Sequence, residues 1–352
     1  MNCFQQRSCQ TISRENIPTI SFTPPSSVTY DYNEFDVYEL SDKCKKAKFF
    51  HEIFPQKQSN QYYWIKESFY VWEKPNKKTI CILHLQNKVP LQNKPILIFF
   101  QSSTSNLGTI YPYLYDIVTQ LKCDLITLDY SGIGKSSGVF TEADIMSDAE
   151  AISQFISFIG ISKKKIVIIG FSIGCVPSLH YASIFKELYG LVLLSPANFA
   201  DIKRQNKQDL QYKITFDDLR KVSCPILLIH GKKDELGLFD RTFGLSRNLT
   251  INFSWFPKSC GHLNILQEKR RKLFTMLNNY FTSLTELNGK VQRNKVSSIY
   301  SKNSDNYKST VEDDKTLSNI NFDETNKSFM SINDSRQIEF NKKMMEEFQE
   351  QF

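Results

Sequence analysis

The sequence is poor in the features that mark several classes of protein. None of its eight cysteines stands in a C-x-x-C pair, which excludes the zinc cages and dithiol motifs built on that spacing. Apolar runs are short, Ile96–Phe100 and Ile166–Ile169 among them. They fall far below the ~18 residues that cross a bilayer as a helix, so no spanning helix is expected. The start, Met1-Asn2-Cys3-Phe4, has no apolar core of about 7–15 residues of the secretory kind. A cytoplasmic, reducing location is therefore expected. Charge of one sign is also scarce: 44 Lys and Arg against 37 Asp and Glu leave +7 across 352 residues. Without a clustered basic stripe, no nucleic-acid partner is expected. Glycine and histidine are sparse, at 13 and 5, so each such position is informative.

What is present is enough for a core. Apolar residues make up 41% and aromatics 13% of the chain, which excludes wholesale disorder. Cys81, Cys123, Cys175 and Cys224 lie in or beside apolar runs, where a free thiol packs as a small hydrophobe. Cys3 and Cys9 stand instead in a polar leader, open to an acylating enzyme. The plain alternative is two exposed thiols without a role.

Three regions follow from composition. Residues 1–35 are polar and interrupted by Pro18, Pro24 and Pro25, an extended arm. Residues 36–284 form the folded domain. Residues 285–352 are rich in Asn, Ser, Lys, Asp and Thr, and read as a largely disordered tail. Its end has a loose helical spacing at Ile338, Phe340, Met344, Met345 and Phe348. No internal repeat is visible.

Within the domain, apolar runs at Ile80–Leu85, Ile96–Phe100, Leu125–Tyr130, Ile166–Phe171, Leu191–Leu194 and Ile226–Ile229 predict strands buried on both faces. Helical stretches are predicted at Thr109–Lys122, Glu142–Phe158, Ile173–Lys186 and Leu263–Phe281. Alternation of this kind predicts an α/β fold, a mostly parallel central sheet flanked by helices. Ligands of such sheets bind beyond the carboxyl ends of the strands.

One such end carries chemistry. Gly170-Phe171-Ser172-Ile173-Gly174 follows a strand and opens a helix, the context that the G-x-S-x-G elbow requires. A serine hydroxyl needs a base, and the base needs an orienting acid. In the order Ser, acid, His, the strand at Ile226–Ile229 leads to Asp234, and a later strand leads to His262 in a Gly-flanked loop. Glu235 is the fallback acid. His230, at a strand end, competes as the base but reads better as a packed neighbour. The oxyanion donors are expected at the backbone N–H of Ile173 and in the Gln101–Thr104 loop, at Ser103 by position. The run Gly134-Lys135-Ser136 resembles a P-loop, but Asp129 stands where that pattern requires glycine. A Gly-rich wall suits it better. The span from Ser195 to Cys224 leaves room for a small lid or none.

Asp129–Gly138, Ser172–Pro177, Leu194-Ser195-Pro196 and Pro225–Glu235 together resemble the α/β-hydrolase domain-containing protein 17 group, over roughly residues 20 to 282. The Phe22-Thr23-Pro24-Pro25 arm is similar to that group's leader. Its members are membrane-associated serine hydrolases that remove fatty acyl groups from cysteines of other proteins. The resemblance implies an α/β-hydrolase fold, Ser172 as nucleophile, Asp234 and His262 completing the triad, and thioester hydrolysis without a cofactor or metal. It also implies an S-acylated protein, or a small acyl ester, as substrate and peripheral association with the cytoplasmic face of membranes. Two features depart from the group. Gln101-Ser102-Ser103 stands where it carries His-Gly-Asn, and only Cys3 and Cys9 stand where its leader is dense in acylated cysteines. Three functions stay open: a protein S-acyl thioesterase, a general carboxylesterase, lipase or peptidase-like hydrolase, and an inactive hydrolase-fold adaptor. The oligomeric state is not legible.

Overall fold

The computed structural model describes residues 28, 30–32, 38–47, 49–51, 65–88, 94–196, 214, 216–237, 239–247 and 252–287. Cys3, Cys9, the lid region at 197–213 and the tail beyond 287 lie outside them. Strands in chain order are β1 (Tyr30–Tyr32), β2 (Tyr38–Ser41), β3 (Cys44–Ala47), β4 (Phe49–His51), β5 (Ile65–Glu73), β6 (Thr79–Asn87), β7 (Ile96–Phe100), β8 (Leu125–Leu128), β9 (Ile166–Phe171), β10 (Gly190–Leu194), β11 (Ile226–Ile229) and β12 (Asn252–Trp255). Helices are α1 (Leu107–Leu121), α2 (Glu142–Phe158), α3 (Cys175–Ile184), α4 (Phe216–Arg220), α5 (Phe239–Arg247), α6 (Ile265–Glu268) and α7 (270–287).

Ten strands form one sheet in the order β12-β11-β10-β9-β7-β8-β6-β5-β3-β2. From β12 through β8 the pairings are parallel. From β8 to β2 they are antiparallel. β1 and β4 pair separately. The inner parallel strands β8, β9, β10 and β11 are apolar runs buried throughout, because helices cover both faces, while β12 at the sheet edge is half-buried. Alternation along β7 assigns the layers. Ile98 and Phe100 pack with Ile152 and Phe155 of α2 and Leu179 of α3. Leu97 and Phe99 pack with Leu114 and Val118 of α1 and Leu277 and Tyr280 of α7.

Several boundaries differ from the sequence expectation. The helix expected from Ile173 starts at Cys175, because Ser172–Gly174 form a tight 3₁₀ turn. The helix expected at Leu263–Phe281 is split after α6 near Lys269, and its second part runs to residue 287, three positions into the expected tail. The strand expected at Leu125–Tyr130 ends at Leu128, where the backbone turns into the Gly-rich loop. β1 lies inside the stretch expected as an extended arm, and Tyr30 is buried at its start.

The chain passes from β7 through α1 to β8 on one side, then through α2 to β9 on the other. The strand order reverses at β7, and the crevice between β7 and β9 is the site that such a switch point opens.

A histidine far from that crevice sets one pH response. His84 of β6 is buried, and its Nε2 has no partner among the described residues. Burial, with Lys66 and Lys46 adding to it, pulls its pKa from 6.5 to about 4. Stability from keeping the ring neutral is complete above pH 6.5 and is lost as pH falls towards 4, up to about 3 kcal/mol. Asp129 acts in the opposite sense, because burial raises its carboxyl from 3.8 to about 7. The stability difference between wild type and His84→Leu, from urea unfolding at pH 7 and pH 4.5, isolates the imidazole. That difference should shift against wild type by roughly 2–3 kcal/mol on acidification. A difference independent of pH would rule out a neutral buried His84.

Candidate active site

β9 ends in the elbow. Ser172 has φ +57°, the left-handed region that a side chain rarely adopts, and is 3% exposed. The strain persists because both flanking positions are too crowded to relax. A Cβ on Gly170 would lie 2.5 Å from Ser178 Oγ and 2.6 Å from Gly174 O. A Cβ on Gly174 would lie 2.0 Å from Phe100 O. The second glycine therefore lets the elbow press against the end of β7.

Two later loops bring the partners. Asp234 follows β11 and His262 follows β12. The loops are laced together: Lys232 N donates to Pro257 O at 3.0 Å and Lys233 N to Cys260 O at 2.9 Å. Gly231 permits this closeness, because a Cβ there would lie 2.3 Å from Cys260 O. Ser172 Oγ is 2.7 Å from His262 Nε2, and His262 Nδ1 is 2.8 Å from Asp234 Oδ2. The other oxygen, Asp234 Oδ1, accepts from Leu236 N at 2.8 Å and Gly237 N at 2.7 Å. Burial alone would raise the Asp234 carboxyl. The hydrogen bond and charge of His262 outweigh that, with His230 and Gly237 N–H assisting, and hold it below its ordinary value. The Phe171 ring lies against the His262 ring at 6.3 Å between centroids and 21° between planes. An imidazole placed between a hydroxyl and an ionised carboxylate is arranged to take the proton of an attacking oxygen.

His230 is not in the relay. Its Nε2 donates to Gly237 O at 2.7 Å and lies 3.3 Å from Asp234 Oδ2, while its buried Nδ1 has no partner among the described residues. Burial lowers its pKa against the pull of Asp234 and Gly237 O, so the ring is neutral and braces the acid loop. Glu235 is exposed beside this loop, its carboxylate 3.0 Å from a Cβ built on Gly261.

The two residues expected to supply oxyanion donors stand around the end of β7. Ile173 and Ser103 are both buried, and Phe100 O and Gln101 O lie directly against Gly174. Gln101, which stands where the resembled group carries histidine, is bonded through its amide nitrogen: its Nε2 donates to Asp129 Oδ1 at 2.8 Å and Leu128 O at 3.0 Å, while its buried Oε1 has no partner among the described residues. Tyr130 OH donates to Gln101 O at 2.9 Å. Asp129 also accepts from Leu107 N at 2.9 Å and from Tyr30 OH at 2.6 Å. Sequence reasoning missed this anchor, although Asp129 directly after an apolar strand was its visible sign. The Gly-rich loop serves the anchor: Ser136 Oγ donates to Asp129 O at 2.8 Å, and a Cβ on Gly134 would lie 1.9 Å from Asp129 Oδ2.

Known proteins are similar to this chain in sequence and in fold. A serine hydrolase family model matches residues 150–270, the stretch that contains Ser172, Asp234 and His262. The α/β-hydrolase domain-containing protein aho-3 of Caenorhabditis elegans is 33% identical over 163 residues, 45% of this chain and 48% of that protein. The human α/β-hydrolase domain-containing protein 17B is 32% identical over 162 residues, 42% of this chain and 55% of that protein. The chain thus spans about half the length of the relatives it matches. Among solved structures, the Pyrococcus furiosus esterase Pf2001 superposes with a TM-score of 0.52 at 17% identity, covering 65% of this chain and 97% of the esterase. At that identity the likeness concerns the fold. The chain has the α/β-hydrolase fold and is a relative of the α/β-hydrolase domain-containing protein 17 proteins.

Proposed function

We propose that this protein is a serine hydrolase that cleaves acyl esters and thioesters through Ser172, His262 and Asp234, and that its substrate is an S-acylated cysteine of another protein. The relay from Ser172 Oγ at 2.7 Å to His262 Nε2 and on at 2.8 Å to Asp234 carries the reaction type. The resemblance to the domain-containing protein 17 group carries the substrate class. His262 Nε2 takes the Ser172 proton as the oxygen attacks the acyl carbonyl, and Asp234 stabilises the resulting imidazolium. Backbone N–H groups of Ile173 and Ser103 receive the oxyanion. The imidazolium returns its proton to the departing thiol, and a water activated by the same ring releases the acid from Ser172. Acylation of Cys3 and Cys9 would hold the protein at the cytoplasmic face of a membrane, since two lipid chains anchor stably where one binds reversibly.

Substrate choice is tested by comparing kcat/KM for an S-palmitoylated peptide and a monoacylglycerol of the same chain length. The expected result is a preference of tenfold or more for the thioester peptide. Equal or reversed preference would point to a lipid esterase, and no turnover of either to a non-catalytic adaptor.

A further inference from the structure

Three separated segments meet at one buried carboxylate. Asp129, fully buried at the end of β8, accepts from Gln101 Nε2 and Leu107 N on one oxygen and from Tyr30 OH on the other. Gln101 and Leu107 bracket the loop between β7 and α1, in which Ser103 lies. Asn106 caps α1, accepting from Gly108 N and Thr109 N, so this loop is tied at both ends. Tyr30 belongs to β1, outside the main sheet, and is 3% exposed. Its hydroxyl also accepts from Lys135 N at 3.0 Å, and Lys135 Nζ pairs with Asp31 Oδ1 at 2.9 Å. The phenol thus enters the core from the N-terminal side and reaches the oxyanion loop through one carboxylate.

We propose that Tyr30 is a positioning residue of the hydrolase reaction: it holds Asp129, Asp129 holds Gln101, and Gln101 fixes the loop that aims the Ser103 N–H at the oxyanion. This rests on the serine hydrolase reading above. The physical basis is the steep geometric demand on an oxyanion donor, which acts only when placed for the tetrahedral oxygen and not for the ground-state carbonyl. A displacement of well under 1 Å therefore costs turnover while leaving ground-state binding intact. Tyr30→Phe removes one hydroxyl and keeps the ring that packs against Phe69 at 5.9 Å. Gln101→Leu breaks the same chain one link nearer the loop.

The test uses the full chain. Kinetics on p-nitrophenyl butyrate are expressed per active site titrated with a fluorophosphonate, so unfolded protein drops out. In parallel, the inhibition constant of a trifluoromethyl ketone, which forms a tetrahedral adduct on the serine, is measured with the melting temperature. Tyr30→Phe and Gln101→Leu should each lower kcat about tenfold with KM within twofold, and weaken the ketone by the same factor. The inference is overturned if Tyr30→Phe keeps wild-type kcat and ketone affinity per titrated site, whatever its melting temperature. It is also overturned if only KM changes. Wild-type protein that neither labels nor turns over would instead overturn the hydrolase reading, and this inference with it.

Discussion

Ser172→Ala should abolish fluorophosphonate labelling and lower kcat by roughly five to six orders of magnitude, the scale seen when a triad nucleophile is removed. The size follows from the relay. His262 Nε2 faces Ser172 Oγ at 2.7 Å, and without that oxygen no covalent intermediate forms. The fold should be unaffected, because the alanine Cβ occupies the same space at the same φ of +57°. Ser172→Gly sharpens the test. Glycine adopts that conformation without strain, so this variant should be as inactive as Ser172→Ala but about 1 kcal/mol more stable than it. Urea unfolding of the two, beside labelling of both, separates the chemical role of the residue from its backbone cost. Persistent labelling of either variant would remove Ser172 from the mechanism.

Lys74→Met should cost about 3–5 kcal/mol of stability, far from the nucleophile in sequence. Lys74 follows β5, and its side chain is completely buried. Its Nζ donates to Asp148 Oδ1 at 2.7 Å and to Ser131 Oγ at 2.8 Å, and lies 3.8 Å from Asp144 Oδ1. Asp148 is equally buried, on α2, and also accepts from Ser131 N at 2.7 Å. Burial raises its carboxyl despite the lysine, so a methionine at 74 would leave that group without its counter-ion. Ser131 opens the loop that shelters Asp129, so the cluster joins the β5–β6 turn, α2 and the wall of the site. The double variant Lys74→Met, Asp148→Leu removes both charges together and should recover most of the loss, since apolar replacement of a buried pair is often neutral. Urea midpoints of the four proteins provide the cycle. A single-variant loss below 1 kcal/mol, or a double variant as weak as the single, would show that the pair contributes little.

Both predictions draw on features that differ in how openly they stand in the sequence. The elbow was legible because two glycines around a serine, after an apolar run and before a helix, have few other uses; the contacts at Gly170 and Gly174 give the steric reason. Asp234 and His262 were legible by order, each just past a late strand. Lys74 was not, since a lysine after a strand ordinarily faces solvent, and only its tertiary partners bury it. The antiparallel strands β2, β3 and β5 were missed because they mix apolar and polar residues, with Glu67 and Ser68 inside β5, and gain their burial from neighbouring strands.

The chain's own pattern determined the α/β class, the strand that carries the nucleophile and the residue types available to activate it, because periodicity and glycine placement are local properties of the backbone. The tertiary structure alone decided that β7 lies between β8 and β9, which opens the crevice where Gln101 meets the elbow. It also decided that Tyr30, Gln101 and Leu107 share the Asp129 carboxylate. Strand order and buried hydrogen bonds join residues up to 99 positions apart, and no local preference of either partner records such a pairing.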